Sequence, residues 1–339
     1  DEFISLFGVG NGGGGPKPEN IELGRRMSDL ENAPRVRFDT AKNFFDRLEE
    51  HKDVVETWVG ELYLELHRGT LTTHGLVKKQ NRKLEWKLRA VEMLYSCLPF
   101  GEYPAEELDQ MWKKLLINQF HDIIPGSSIN LVYQTTHKEY EQIHEGCDAL
   151  IKRSGEQLFK KDDNSFVLVN TLSYIWKGAF CLPESFHGYS LLDQNGEVIQ
   201  LQNDGNGILA AVELAPLSFT TFKKGNKADL EDNKSEDLIL ENDLIKYEFD
   251  QTGQLISMYD KVLDKEFLSN SGNVLSLYED RPNNWDAWDV DFFYREALIE
   301  TAKATKVEAL ANGEVTKQIK LSFSIGGSSV EQLVSLYPH

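Results

Sequence analysis

Cysteine is scarce. Three thiols, Cys97, Cys147 and Cys181, are spread over 339 residues, and no two stand in a C-x-x-C spacing. An odd, scattered set excludes a disulfide framework and reads as reduced thiols. Long apolar runs are missing too, so no stretch has the length needed to cross a bilayer. Basic residues are few: 36 Lys and Arg stand against 55 Asp and Glu, a net charge of −19. Such a chain repels nucleic-acid phosphates and anionic membrane surfaces, while a neutral ligand such as a sugar is compatible with it. The paired histidine motifs of zinc sites, H-x-H and H-E-x-x-H, are absent as well.

What is present suffices for ordinary cores. Forty per cent of residues are hydrophobic, and the length implies more than one domain. From about Phe38 to Lys161 the apolar period is helical. "FDTAKNFFDRLEEHK" puts Phe38, Ala41, Phe44, Phe45 and Leu48 on one face with Asp39 as N-cap. Val77, Leu84, Leu88, Val91, Leu94 and Leu98 form the stripe of a second helix, ended by Pro99 and Gly101. Leu108, Met111, Trp112, Leu115 and Leu116 mark a third. A fourth, long helix places Val132, Thr136, Tyr140, Ile143, Cys147, Leu150 and Leu158 inward. Beyond "KKDDNS" the period becomes two, with turn signals at Asp193–Gly196 and Gln251–Gly253. The expected fold class is α+β multidomain: an antiparallel three-helix bundle followed by an incomplete all-β sandwich-type domain. The opening "DEFISLFGVG" has neither an initiator methionine nor a basic leader, and the close "EQLVSLYPH" follows a strand-like run. Both ends read as cut, so the chain is expected to be an internal piece of a longer one.

Four stretches hold the candidate chemistry. "FGVGNGGGGPKP", Phe7 to Pro18, contains six glycines. Gly8, Gly10 and Gly13 satisfy G-x-G-x-x-G, but Pro16 and Pro18 interrupt the helix that a dinucleotide fingerprint needs. A solvated linker and a tight buried turn both remain open. "NQFHDIIPGSS" sets His121 and Asp122 where a helix ends and a Pro-Gly turn begins. That position suits a metal ligand or a catalytic group. Taken alone, the residues favour a plainer role, an imidazole stabilised by the helix C-terminus.

"ELYLELHRGTLTTHG" gathers Glu61, Tyr63, Glu65, His67 and Arg68 before Gly69. Its carboxylates suit glycoside hydrolysis, with ordinary surface charge as the plainer reading. "LYEDRPNNWDAWDVDFFY" packs Glu279, Asp280, Arg281, Trp285, Asp286, Trp288, Asp289 and Asp291 into one loop. Indole faces stack on sugar rings and carboxylates accept from hydroxyls. The alternative is a loop packed by its own aromatics and salt-bridged through Arg281. His137 and His144, seven apart on the long helix, read as a packed or solvated face.

Together, and in the order in which they follow one another along the chain, these stretches resemble glycoside hydrolase family 38, the retaining α-mannosidases, and look most like the bacterial, cytoplasmic-type members. The resemblance implies an α/β barrel, a helical bundle and C-terminal β-domains. It divides this chain into the barrel's tail (1–36), the helical middle domain (37–161) and a truncated β-domain (162–339). It also implies an active-site zinc held by a His and two Asp of the barrel and by a second His, which His121 matches. Asp122 matches the neighbouring acid that contacts the sugar. The glycine run matches the barrel's last active-site loop, with Asn11 standing where many relatives have Asp. With Arg68, Trp285, Asp286, Trp288 and Asp289, Asp122 makes up the expected substrate-binding set.

The partner implied is an α-mannoside oligosaccharide, with neither nucleic acid nor membrane, in a cytoplasmic parent that assembles as a homo-oligomer. The barrel's nucleophilic Asp and its three zinc ligands are not in this sequence. No catalytic residue is therefore expected in the chain, which alone should be inactive and bind zinc weakly or not at all. Competing readings are a non-catalytic carbohydrate-binding module built on the Trp-Asp loop, a helical interaction scaffold, and a dinucleotide-binding protein.

Overall fold

The computed structural model describes residues 2–10, 13–61, 66–230 and 237–338. Asn11, Tyr63, Glu65 and residues 231–236 lie outside the described residues. The chain divides into two compact units, residues 1–64 and 65–339.

In the first unit the described residues of the glycine run are exposed. No described strand precedes it, and a helix opens directly after it, α1 (Pro18–Arg26). Proline suits that first helical position, since its φ is preset and its missing N–H is not needed there. In α2 (Ala41–Glu49) the N-cap is Thr40 and not Asp39: Thr40 Oγ1 accepts from the Asn43 amide at 3.3 Å. Asp39 is otherwise engaged, accepting from Thr40 N at 2.8 Å, Asn43 Nδ2 at 2.7 Å and Arg47 Nη1 at 3.0 Å. The apolar stripe of α2 has no core to enter within this unit. Phe38, Phe45 and Leu48 are exposed, and no described residue of the unit is buried.

The second unit begins with three helices, α3 (Gly75–Ser96), α4 (Ala105–Asn118) and α5 (Asn130–Leu158). Their short connections force neighbours to run antiparallel. Val77, Leu84, Leu88 and Val91 of α3 meet Leu108, Met111 and Leu115 of α4 and Tyr140, Ile143, Cys147 and Leu150 of α5 in one buried cluster. Each large side chain buried there contributes about 1.5–3 kcal/mol. The inner stripe of α5 starts at Tyr133 and ends at Ser154, not Val132 and Leu158. The phenol of Tyr133 has a partner in the preceding turn, which fixes the register.

The remainder is antiparallel sheet. β1 (Ser165–Asn170), β2 (Trp176–Cys181), β3 (Tyr189–Leu192), β4 (Val198–Ile199), β5 (Leu201–Asn203), β6 (Ile208–Leu214) and β7 (Ser218–Lys227) form two sheets, ordered β1-β7-β3-β4 and β2-β6-β5. Phe222, Leu191, Ala210, Val212 and Leu214 pack between them. A second layered pair follows. β8 (Ile239–Glu241), β9 (Ile245–Phe249), β10 (Leu255–Asp260) and β11 (Lys265–Glu266) form one sheet; β14 (Ala304–Asn312), β15 (Lys317–Ile325) and β16 (Ser328–Leu336) form the other. Leu240, Phe249, Ile319, Leu321 and Phe323 fill the space between. A two-stranded ribbon, β12 (Ser276–Tyr278) with β13 (Leu298–Thr301), carries the Trp-Asp loop between its strands. The β region thus has two hydrophobic cores. Buried Gln202 joins them, accepting from Val315 N and Thr316 N, each at 2.9 Å, and donating to Thr316 O at 2.8 Å.

Candidate functional site

The turn after α4 is built from both sides. Gln119 caps the helix and donates through Nε2 to Asn81 Oδ1 at 3.1 Å and Glu85 Oε1 at 2.9 Å, both on α3. The chain then folds back, with Ile123 N and Ile124 N donating to Phe120 O at 2.8 and 3.1 Å. Asp122 O accepts from Ser128 Oγ at 2.5 Å and from the Tyr133 phenol at 3.4 Å. Lys78 Nζ reaches three carbonyl oxygens, Thr73 at 2.6 Å, Ile124 at 2.7 Å and Pro125 at 3.2 Å. Burial holds this ammonium's pKa below the ordinary lysine value; its charge-assisted bonds to carbonyls are the compensating contacts.

Gly126 sits at φ +96 and so near Thr73 that a Cβ would lie 2.7 Å from its Cγ2. On this fixed turn the His121 side chain is 75% exposed, its Nε2 3.6 Å from Asp122 Oδ2. Among the described residues none hydrogen-bonds to its ring. The arrangement presents an imidazole and a carboxylate outward on a rigid support, as a ligand-binding pair requires.

The Trp-Asp loop is held differently. Trp285 adopts φ +64, and its carbonyl accepts from Trp288 N at 2.7 Å and Asp289 N at 2.8 Å. Trp285 remains 67% exposed, whereas Asp289 is only 6% exposed. The Asp289 carboxylate accepts from the amides of Arg68 at 3.1 Å and Val290 at 2.9 Å, and Arg68 Nη1 donates to Val290 O at 3.0 Å. His67 meets Trp288 edge to face, ring centres 5.2 Å apart. Asp286 is exposed. Arg281 pairs with Glu279 at 2.6 Å, and Asp291 accepts from Asn283 N at 2.8 Å.

The structure therefore brings Arg68, Trp288 and Asp289 together, and separately sets His121 beside Asp122. Residues 68–73 run between the two: Gly69 faces Trp288 and Asp289, and Thr73 faces Gly126, in the turn that follows Asp122. Glu61 lies in the first unit, where its carbonyl accepts from Trp58 Nε1 at 2.8 Å. His144 is a packing residue, its Nε2 2.9 Å from Gln80 Oε1, and His137 is exposed. Burial pushes the Cys147 thiol up to about 11, which removes it as a nucleophile. Lys78, Tyr133 and Gln119, which build the His121 turn, are missing from the sequence reading. Only the helical spacing of Lys78 and Gln119 beside apolar positions hinted at them.

A catalytic zinc takes three protein ligands. Among the described residues no group of three or more His, Cys, Asp or Glu is placed to hold a metal ion. His121 and Asp122 alone do not fit one. No helix among the described residues is long and apolar enough to cross a membrane.

Residues 65–158 match the alpha mannosidase middle domain, and residues 240–339 match the glycosyl hydrolases family 38 C-terminal domain. The chain belongs to glycoside hydrolase family 38 and carries those two domains. It is 32% identical over 299 residues to human alpha-mannosidase 2C1, covering 86% of this chain and 28% of that protein. It is 29% identical to alpha-mannosidase G of Dictyostelium discoideum, covering 99% of this chain and 35% of that protein. The chain thus spans about a third of the length of these curated relatives. Its fold resembles that of a family 38 protein from Enterococcus faecalis, with TM-score 0.58 at 18% identity over 91% of this chain and 42% of that one.

Proposed function

We propose that the chain is part of a zinc-dependent retaining α-mannosidase that hydrolyses terminal α-mannosides. The observation that carries this reading is the pairing of His121 and Asp122, presented outward on a turn that Lys78, Tyr133 and Gln119 hold in place. In this proposal His121 supplies one zinc ligand. Asp122, Arg68, Trp285, Asp286, Trp288 and Asp289 form and support the sugar-binding surface. Residues 1–36 are the tail of the catalytic barrel with its glycine loop, 37–161 the helical middle domain, and 162–339 the β-domain. The nucleophile and the remaining ligands belong to the longer protein, so the chain alone is inactive and binds zinc weakly at most. Retention then proceeds through a covalent glycosyl-enzyme. The longer protein is cytoplasmic, assembles as a homo-oligomer, and takes an α-mannoside oligosaccharide.

His121→Ala in the full-length protein tests this. Turnover of an aryl α-mannoside should fall by at least ~100-fold, the loss expected for residues that hold a reacting group in place. Unchanged turnover in a folded variant would contradict it. A second reading, a carbohydrate-binding module without hydrolysis, is favoured by one observation, the exposed indole of Trp285 on a fixed turn. It predicts that the full-length protein binds mannosides without cleaving them.

A further inference from the structure

Asp289 has the burial of a structural group and the position of a ligand-binding one. Its carboxylate is nearly closed off from solvent, and its Oδ1 accepts from two backbone amides, those of Arg68 and Val290. A buried carboxylate with such partners stabilises a backbone shape; it is not poised for an incoming hydroxyl. The shape in question is the Trp285–Trp288 turn, closed on the Trp285 carbonyl and carrying a tryptophan at positive φ. Gly69 lets this turn approach: a Cβ there would lie 3.2 Å from Trp288 O and 3.4 Å from Asp289 N. From Gly69 the contact runs on. Its carbonyl accepts from Thr73 Oγ1 at 2.6 Å. Thr73 packs on Gly126, and its own carbonyl shares Lys78 with Ile124 and Pro125.

We propose that Asp289 is a positioning residue: it sets the Trp285–Trp288 turn on Arg68 and, through residues 68–73, fixes that turn relative to the one bearing His121 and Asp122. The proposal rests on the sugar-binding reading above for its kinetic consequence. Its structural content stands apart from that reading. Asp289 acts as an acceptor of N–H groups, so the amide oxygen of asparagine replaces it and alanine does not.

The test uses the full-length enzyme with 4-nitrophenyl α-mannoside, together with acrylamide quenching of tryptophan fluorescence. Asp289→Ala should raise KM about tenfold with kcat changed less than about threefold, the signature of lost binding. Asp289→Asn should stay within about threefold of the parent in both constants. Gly69→Ala, which leaves the carboxylate untouched, should shift KM in the direction of Asp289→Ala. Quenching should increase in Asp289→Ala and Gly69→Ala and not in Asp289→Asn. If Asp289→Asn is as damaged as Asp289→Ala, the carboxylate itself meets the substrate and the proposal falls. It falls equally if Asp289→Ala changes neither KM nor quenching. Should Asp289→Ala fail to fold, Asp289→Asn and Gly69→Ala still decide. If the parent enzyme cleaves no mannoside, the sugar reading fails, while the quenching series still tests the positioning role.

Discussion

At the scale of single residues, the site depends on a glycine and a lysine that carry no chemistry. Gly126 combines φ +96 with contact against Thr73, so any side chain there meets both backbone strain and a clash. Gly126→Ala should lower stability by about 1–3 kcal/mol, read as a fall in the thermal midpoint, and in the full-length enzyme reduce turnover with it. A variant that melts with the parent would show that the turn yields easily. The turn that carries His121 and Asp122 was legible in the sequence because Pro125 and Gly126 visibly end a helix beside it. Lys78 was not, and Asp289 was read there as a sugar contact and not as the acceptor of the Arg68 and Val290 amides. Their partners stand far away along the chain: Lys78 meets Ile124 across 46 positions, and Asp289 meets Arg68 across 221. No local pattern encodes such pairings.

At the scale of elements, α3, α4 and α5 were read well because their apolar stripes have a single period and each buries one face in a common core, although Leu116 of the α4 stripe is exposed. The buried stripe of α5 begins at Tyr133, whose phenol is hydrogen-bonded in the preceding turn, and the neighbouring Val132 is only half-buried. In α2, Thr40 replaces Asp39 as cap because Arg47 and Asn43 engage the acid. The seam between α3 and α5 contains a titrating group. His144 lies beside Lys87, whose Nζ is 3.4 Å from its Nδ1 and 2.7 Å from Asp148, and beside Gln80.

Burial, then the positive charge of Lys87, lower its pKa below the ordinary 6.5, against the opposing effect of Asp148. The neutral ring is thus favoured in the folded chain. Its contribution to stability is complete above pH 6.5 and is lost as pH falls from there through the lowered folded value, because the unfolded chain takes up the proton first. Thermal midpoints of the chain should decline over that interval, and His144→Gln should flatten the decline. An identical slope in the variant would assign the effect elsewhere.

At the scale of the whole molecule, the alternation of apolar residues made the β region plain, but not its separation into two cores. That separation depends on which sheets face each other, which alternation alone does not encode. Gln202 joins the two layers, and the amides of Val315 and Thr316 that it satisfies are themselves fully buried. Gln202→Ala strands both donors and should cost about 2–4 kcal/mol. In urea it should also separate the unfolding of the second layer from the first; a single unshifted transition would show that the junction is dispensable.

The same scale bears on function. The family is established from the middle and C-terminal domains, over about a third of the relatives' length, and the activity is the central proposal. The most direct test is the assay of the full-length protein on an aryl α-mannoside, before chelation, after it, and after zinc is returned. The account predicts turnover that is lost on chelation and restored by zinc. Turnover indifferent to chelation would contradict the zinc dependence, and persistent inactivity across α-mannosides would contradict the mannosidase reading itself.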